Sequence, residues 1–267
     1  MLSNLGDPVH YEEREKRYMQ HANQYKPQEL EIFSKMIAEI VCGMEDNPDQ
    51  DFLGEMYMAL DFGSSAAGQF FTPYSVCRLM AAIGSDFEKL NSQIADKGFV
   101  GVMDPACGAG ALLVAFANEC RRQNINPQTQ CLFVAQDIDF TVGCMCYIAM
   151  SLMGLAGYVV IGDSLIHPTT AYDSRGLIPV DNGNVWYTPM LMTRELWVGR
   201  RIAAGMDLML CGRRKETAAV PAEGPLQSLP AAVTVTPPVV ISPEPENPVE
   251  AEETAFADNG DGQLMFF

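Results

Sequence analysis

The most constraining stretch of this chain runs from Gly98 to Gly162, where short apolar runs alternate with segments of helical period. Phe99 to Met103 is the first run, and it ends on Asp104. A turn of small residues follows, Asp104-Pro105-Ala106-Cys107-Gly108-Ala109-Gly110, then a helical pattern with Leu112, Phe116 and Cys120 on one face. Arg121 and Arg122 close that helix, where positive charge suits its dipole. Cys131–Ala135 predicts a second strand, Phe140–Met153 a second helix and Tyr158–Ile161 a third strand; Met206–Leu210 could supply another. Such a series buries its strands on both faces, as a parallel sheet does. The expectation is an α/β fold with its site at the carboxyl ends of the strands.

Composition bounds the rest. Of 267 residues 48% are apolar, enough for a core. Acids outnumber bases 34 to 17, and a net charge of −17 argues against a chain that coats nucleic acid non-specifically. A local basic face stays open, because Arg194–Lys215 is mainly basic. That stretch reads either as a solvated helix face or as a phosphate-contacting surface. From Glu216 to Phe267 there are nine acids, no Lys or Arg, and eight of the 17 prolines, the make-up of a disordered tether. Eight cysteines without a Cys-x-x-Cys pair suggest buried reduced thiols, with no disulfide scaffold and no metal site.

The first residues lack the apolar core of a signal peptide. Phe140–Gly162 has 23 residues without a charge, long enough to span a bilayer. Its flanks, however, are acidic (Asp137, Asp139, Asp163), and Gly154 and Gly157 divide it. Helix, turn and buried strand is the better reading, and a cytoplasmic protein without a membrane span is expected. Before the alternating region, Pro27–Gly43 shows a helical stripe of Leu30, Phe33, Ile37, Ile40 and Val41, and Asp51–Leu60 resumes helically. Thr72 and Pro73 suit the cap and first position of a further helix, with Val76, Met80 and Ile83 as its buried face. The expected organisation is a helical region over residues 1–70, an α/β domain over 71–215 and an acidic tail over 216–267.

Three acids stand at three successive strand ends. Asp104 leads a loop whose glycines Gly108 and Gly110 allow close approach of a ligand to the backbone. The loop lacks the third glycine of a dinucleotide fold, since Leu113 stands there, and no Gly-Lys-Ser/Thr triplet of a phosphate loop occurs. An acid fits an ammonium group or hydroxyls better than phosphate. Asp137, followed by Ile138, can accept from both hydroxyls of a ribose. Asp163, followed by Ser164, can receive the amino group of an adenine. Together they describe a site for an adenosine bearing a cation, which is S-adenosylmethionine.

Several motifs then resemble a family. Asp51-Phe52-Leu53-Gly54-Glu55-Met56-Tyr57, then Gly68-Gln69-Phe70-Phe71-Thr72-Pro73, look like the modification subunits of type I restriction–modification systems and related N6-adenine DNA methyltransferases. The family's Asp-Pro-x-Cys-Gly-x-Gly loop is matched at Asp104–Gly110, its acid after the second strand at Asp137, and its Gly-Asp-Thr/Ser-Leu at Gly162–Leu165. The resemblance covers about residues 51–165. It implies a Rossmann-like class I S-adenosylmethionine-dependent methyltransferase fold with a parallel-sheet core, reduced in size. It also implies cofactor contacts from Phe71, Thr72, Pro73, Asp104, Pro105, Ala106, Gly108, Gly110, Asp137, Ile138, Asp163 and Ser164. DNA is the implied substrate, with a separate specificity subunit as a possible partner, since little sequence is left to read a target.

One motif departs from the family. Its Asn-Pro-Pro-Phe/Tyr, whose Asn accepts from the adenine amino group and whose ring stacks on the flipped base, has no match after Asp163. The nearest substitute is Asn184-Val185-Trp186-Tyr187, so Asn184 and Tyr187 are the catalytic candidates, with an ordinary loop as the alternative. Trp186, Tyr187 and Trp197 fit base stacking or core packing alike. The terminal Gln263-Leu264-Met265-Phe266-Phe267 resembles the bacterial sliding-clamp-binding peptide, making Gln263, Leu264, Phe266 and Phe267 candidate contacts to a clamp. Two function classes remain open: an adenine-specific DNA methyltransferase, and a silent methyltransferase-fold module that binds DNA or replication partners. Methylation of a protein amide or an RNA base is a weaker third.

Overall fold

The computed structural model describes residues 7–60, 62, 71–181, 183–218, 256–258 and 263–266. Helices α1 (Tyr11–Ala22), α2 (Pro27–Asp46) and α3 (Phe52–Ala59) come first, followed by α4 (Tyr74–Gly84) and α5 (Phe87–Lys97). The alternating region holds β1 (Val100–Asp104), α6 (Ala111–Arg122), the single turn α7 (Pro127–Gln130), β2 (Cys131–Asp137), α8 (Phe140–Leu152) and β3 (Gly157–Ile161). Then come β4 (Val185–Tyr187), α9 (Pro189–Thr193), α10 (Glu195–Ala218), β5 (Phe256–Asp258) and β6 (Gln263–Phe266). Local chemistry sets the boundaries. Asp86 and Asp139 cap α5 and α8 by accepting from backbone N–H groups of the first turn. Gly98, at φ 83°, ends α5 in the left-handed conformation that glycine reaches without strain.

Among the described residues the sheet has six strands in the order β4-β3-β2-β1-β6-β5. The pairs β1–β2, β2–β3 and β1–β6 are parallel, while β4 and β5 add antiparallel edges. Side chains alternate between two cores, as the period of a strand requires. Val102, Phe133, Ala135 and Val159 join α4, α6 and α8 on one face. Met103, Leu132, Val134, Tyr158 and Val160 meet Leu191 of α9 and Trp197 of α10 on the other. The uncharged stretch splits as its glycines imply, into α8 and the fully buried β3, with Gly154 at φ 67° between them. No helix among the described residues is long and apolar enough to cross a membrane.

Four sequence expectations differ from the structure. Met206–Leu210 is not a strand but part of α10, with Met206, Met209 and Leu210 exposed; five apolar residues alone do not distinguish the two. Thr72 does not cap α4, because Pro73 takes the cap position with no side-chain bond. Nor do Val76 and Ile83 form the buried face of α4. Tyr74, Cys77 and Ala81 do, while Val76 and Ile83 stay exposed. The small Cys77 and Ala81 let α4 lie close against α6, and the Tyr74 hydroxyl donates to Asp49 Oδ1 at 2.8 Å. Finally, Gln263–Phe266 is not a free peptide but a strand in parallel register with β1, with Gly101 opposite Gln263 and Met103 opposite Met265. Without β6 that side of β1 would present a row of unpaired backbone groups. Most of the remaining tail, with Phe267, lies outside the described residues.

Candidate functional site

The site grows from the end of β1. Asp104 is its last residue and is buried, and its Oδ1 accepts from the Ala106 N–H at 3.1 Å, which starts the turn. The Cys107 N–H donates to Gln136 O of β2 at 3.0 Å, and the Gly110 N–H closes the loop onto Cys107 O at 2.8 Å. Gly108 (φ 54°) and Gly110 (φ 91°) both lie in the left-handed region. At Gly110 space demands glycine as well, since a Cβ would stand 2.9 Å from Cys146 Sγ. Phe71 lies over the loop, 3.5 Å from where a Gly108 Cβ would be, and its ring rests against Tyr57.

A cavity of about 230 Å³ opens here, lined among others by Asp51, Phe71, Thr72, Asp104, Pro105 and Gly108. It shares Asp51, Phe71 and Thr72 with a wider cleft of about 560 Å³ that also takes in Pro73, Glu55 and Arg78. Burial pushes the Asp104 carboxyl up to about 7; the Ala106 N–H opposes this and the nearby Asp137 charge adds to it. Burial also raises Asp51, against its bond from the Gly54 N–H. Cys77, beneath both acids, is pushed up to about 11, first by burial and then by Asp51 and Asp104. Cys107 is raised well above an ordinary thiol, first by hydrogen bonding to Cys146 and then by burial, so it stays protonated. Two carboxylates face a largely apolar cavity, an arrangement that suits a cationic ligand with an apolar body.

The other expected residues stand further along the sheet. Asp137 ends β2, where its Oδ2 accepts from the Gly108 N–H and its Oδ1 from the Asp139 N–H, both at 2.9 Å. Asp137 thus braces the loop, and each of its oxygens keeps a second lone pair, but it is not among the residues that line the two cavities. Ile138 beside it is 74% exposed. Asp163 follows β3 and caps the turn after it, its Oδ1 accepting from the Leu165 and Ile166 N–H groups, with Ser164 next to it.

Asn184 and Tyr187 are not brought to the cavity. They flank and end β4, at the sheet edge beyond β3 and opposite to β6. The Ile161 N–H donates to the Asn184 carbonyl at 3.1 Å, at the site end of β3, whereas Tyr187 pairs with Tyr158 at the other end. They stand at the two ends of β4, and neither lines the cavity at the end of β1. The aromatic residues pack instead. Trp197 is fully buried and donates to Gln128 O, Tyr187 packs on Tyr158, and Trp186 sits among Phe140, Tyr147 and Arg14.

The N-6 DNA methylase family profile matches residues 48–182, half of the chain and all of this site. The chain belongs to the N-6 DNA methylase family. Among solved structures it is similar to a Listeria monocytogenes protein assigned as a class I S-adenosylmethionine-dependent methyltransferase, at 23% identity and TM-score 0.29 over 36% of this chain and 27% of that one. It is also similar to a type I restriction enzyme modification subunit from Vibrio vulnificus, at 18% identity and TM-score 0.29 over 54% of this chain and 26% of that one. The chain thus spans about a quarter of each. No curated protein matches it.

Several residues in and around the cavity carry no distinct signal in the sequence. Asp51 lay within a quoted motif without being assigned a place in the site, and Cys77, Met80 and Leu112 line the cavity as ordinary helix residues. Gln136 had no signal at all. Fully buried, its Nε2 donates to Gly162 O and His167 O, and its Oε1 accepts from the Thr169 N–H, so it holds the segment after β3.

Proposed function

We propose that the chain binds S-adenosylmethionine and serves as the cofactor-holding part of an N6-adenine DNA methyltransferase. The observation that carries this reading is the cavity at the end of β1, where Asp51 and Asp104 face a space roofed by Phe71 and floored by the Gly108–Gly110 turn. The cofactor's methionyl cation fits Asp104, its ribose hydroxyls fit Asp137, and its adenine amino group fits Asp163. Phe71, Thr72 and Pro73 close over one end of the ligand, while Pro105, Ala106, Ile138 and Ser164 complete the lining of the path between. The cofactor supplies an electrophilic methyl group; the chain's residues position it and keep water away. DNA is the substrate in this reading, and a specificity subunit supplies the target sequence.

A second reading, a module that holds the cofactor and transfers nothing, is favoured by the place of Asn184 and Tyr187 at the far edge of the sheet. Calorimetric titration with S-adenosylmethionine tests what both share. Saturable binding that Asp137→Ala abolishes is the expected result. A wild-type chain that takes up no heat of binding overturns the cofactor site itself.

A further inference from the structure

Gln136, next to last in β2, is fully buried, and a buried amide is tolerated where its hydrogen bonds are met. Its side chain grips one turn at both ends. Nε2 donates to Gly162 O at 3.3 Å, just before Asp163, and to His167 O at 3.0 Å, where the turn finishes. Oε1 accepts from the Thr169 N–H at 3.2 Å. Two acceptors on one side and a donor on the other leave the amide a single orientation. The main-chain carbonyl of Gln136 meanwhile accepts from the Cys107 N–H at 3.0 Å, inside the Asp104–Gly110 turn. One residue thus ties the segment that carries Asp163 to the loop that Asp104 leads.

The Asp163 turn gains little from packing, since Leu165 and Ile166 are 93% and 69% exposed. Its internal bonds, from the Leu165 and Ile166 N–H groups to Asp163 Oδ1, give it shape without fixing its place on the sheet. Its tie to β2 runs through the Gly162 N–H, which donates to Asp137 O at 2.8 Å, and through the Gln136 amide. We propose that Gln136 is a positioning residue for base recognition: it aims Asp163 at the amino group of the bound nucleoside and so sets a preference for adenine. This rests on the cofactor reading above and adds to it the residue that makes the base selective. A carboxylate–amino hydrogen bond weakens steeply as its angle and distance drift. A loosened turn therefore gives up selectivity while the ribose and methionyl contacts remain.

Calorimetric titration of the full chain with S-adenosylmethionine and with its 6-deamino analogue, which carries purine in place of adenine, tests this. The wild type is expected to prefer the adenine ligand at least about tenfold, the worth of one hydrogen bond to a charged group. In Gln136→Met the affinity for S-adenosylmethionine falls by about that factor while the analogue binds as before, so the preference collapses. A merely structural role would weaken both ligands together. Gln136→Glu keeps an acceptor for Thr169 but cannot donate to both carbonyls. It moves the ratio the same way and guards against a Met variant that fails to fold. Asp163→Ala removes the preference too, and adding Gln136→Met to it changes the ratio no further, because the two act in series. A preference that survives in both Gln136 variants overturns the inference and leaves the cofactor reading standing. A wild type that binds neither ligand overturns both, and one that binds the two alike overturns the inference through Asp163.

Discussion

Asp104 is the residue on which most of the site turns. Its carboxyl titrates near 7 because burial disfavours the charged form. In the unfolded chain it titrates near about 4. Below that pH both states are protonated and nothing is lost. Between about 4 and about 7 the unfolded chain gives up its proton while the fold keeps it, so stability falls as pH rises through that window and levels off above. A cationic ligand reverses the preference, because it needs the carboxylate. The affinity for S-adenosylmethionine is therefore expected to rise up to about tenfold from pH 6 to pH 8, following the ionised fraction. Asp104→Asn is expected to flatten that profile and to raise the melting temperature at pH 8 by at least about 3 °C, the shift ~1 kcal/mol gives a domain of this size. Calorimetry and thermal melts across the range check both, and a wild-type affinity indifferent to pH would show that Asp104 does not face the cation. Gly110 gives a sharper steric test. Gly110→Ala places a Cβ 2.9 Å from Cys146 Sγ at a φ of 91°, and the strain and overpacking together are expected to cost at least ~2 kcal/mol. Adding Cys146→Ala should return only the overpacking part, read as a partial recovery of the melting temperature.

Elements were legible where two independent signals agreed. The loop from Asp104 to Gly110 joins a short apolar run to a helical stripe, so β1 and α6 follow from pattern and turn chemistry together. Gly154 and Gly157 acted in the same way, dividing the uncharged stretch into α8 and β3. Where one signal stood alone it misled. The stripe on α4 named the large residues Val76 and Ile83, but close packing on α6 selects the small Cys77 and Ala81. Met206–Leu210 had apolarity without flanking turns and turned out helical. Strand β6 could not be read at all, because its partner β1 lies more than a hundred residues earlier in the sequence and pairing at that distance leaves no local trace. Its role is open to test. Leu264 stands opposite Val102 of β1 and Asp258 of β5, and Leu264→Pro removes an N–H from that ladder. The expected loss is about 1–3 kcal/mol, with faster hydrogen exchange at the β1 amides. Unchanged exchange there would mean that β1 does not rely on β6.

At the scale of the whole molecule, the described residues supply the cofactor side of the proposed site more fully than the side that would hold a target base. Acids end β1 and β2 and follow β3, in the order a nucleoside cofactor would meet them, and the family match ends at residue 182, just before the β4 segment. What orients a target base is not among the residues that gather at the cavity, because β4 carries Asn184 and Tyr187 to the opposite edge. Sequence order could not reveal this: Asn184 follows Asp163 at a plausible distance, and it is the place of β4 at the sheet edge, with β3 and β2 between it and β1, that keeps it from the cavity. The net charge of −17 adds a second obstacle, since a DNA backbone is repelled unless a basic partner intervenes. Arg200 and Arg201 do little to offset this, as both fold inward onto Trp197 and Tyr187. The isolated chain is therefore expected to bind S-adenosylmethionine yet to move no tritiated methyl group to adenine in duplex DNA above the protein-free background. Transfer by the chain alone would overturn that expectation. If Asn184→Ala then abolished the transfer while leaving cofactor affinity intact, β4 would have to swing from the sheet edge to the cavity during the reaction.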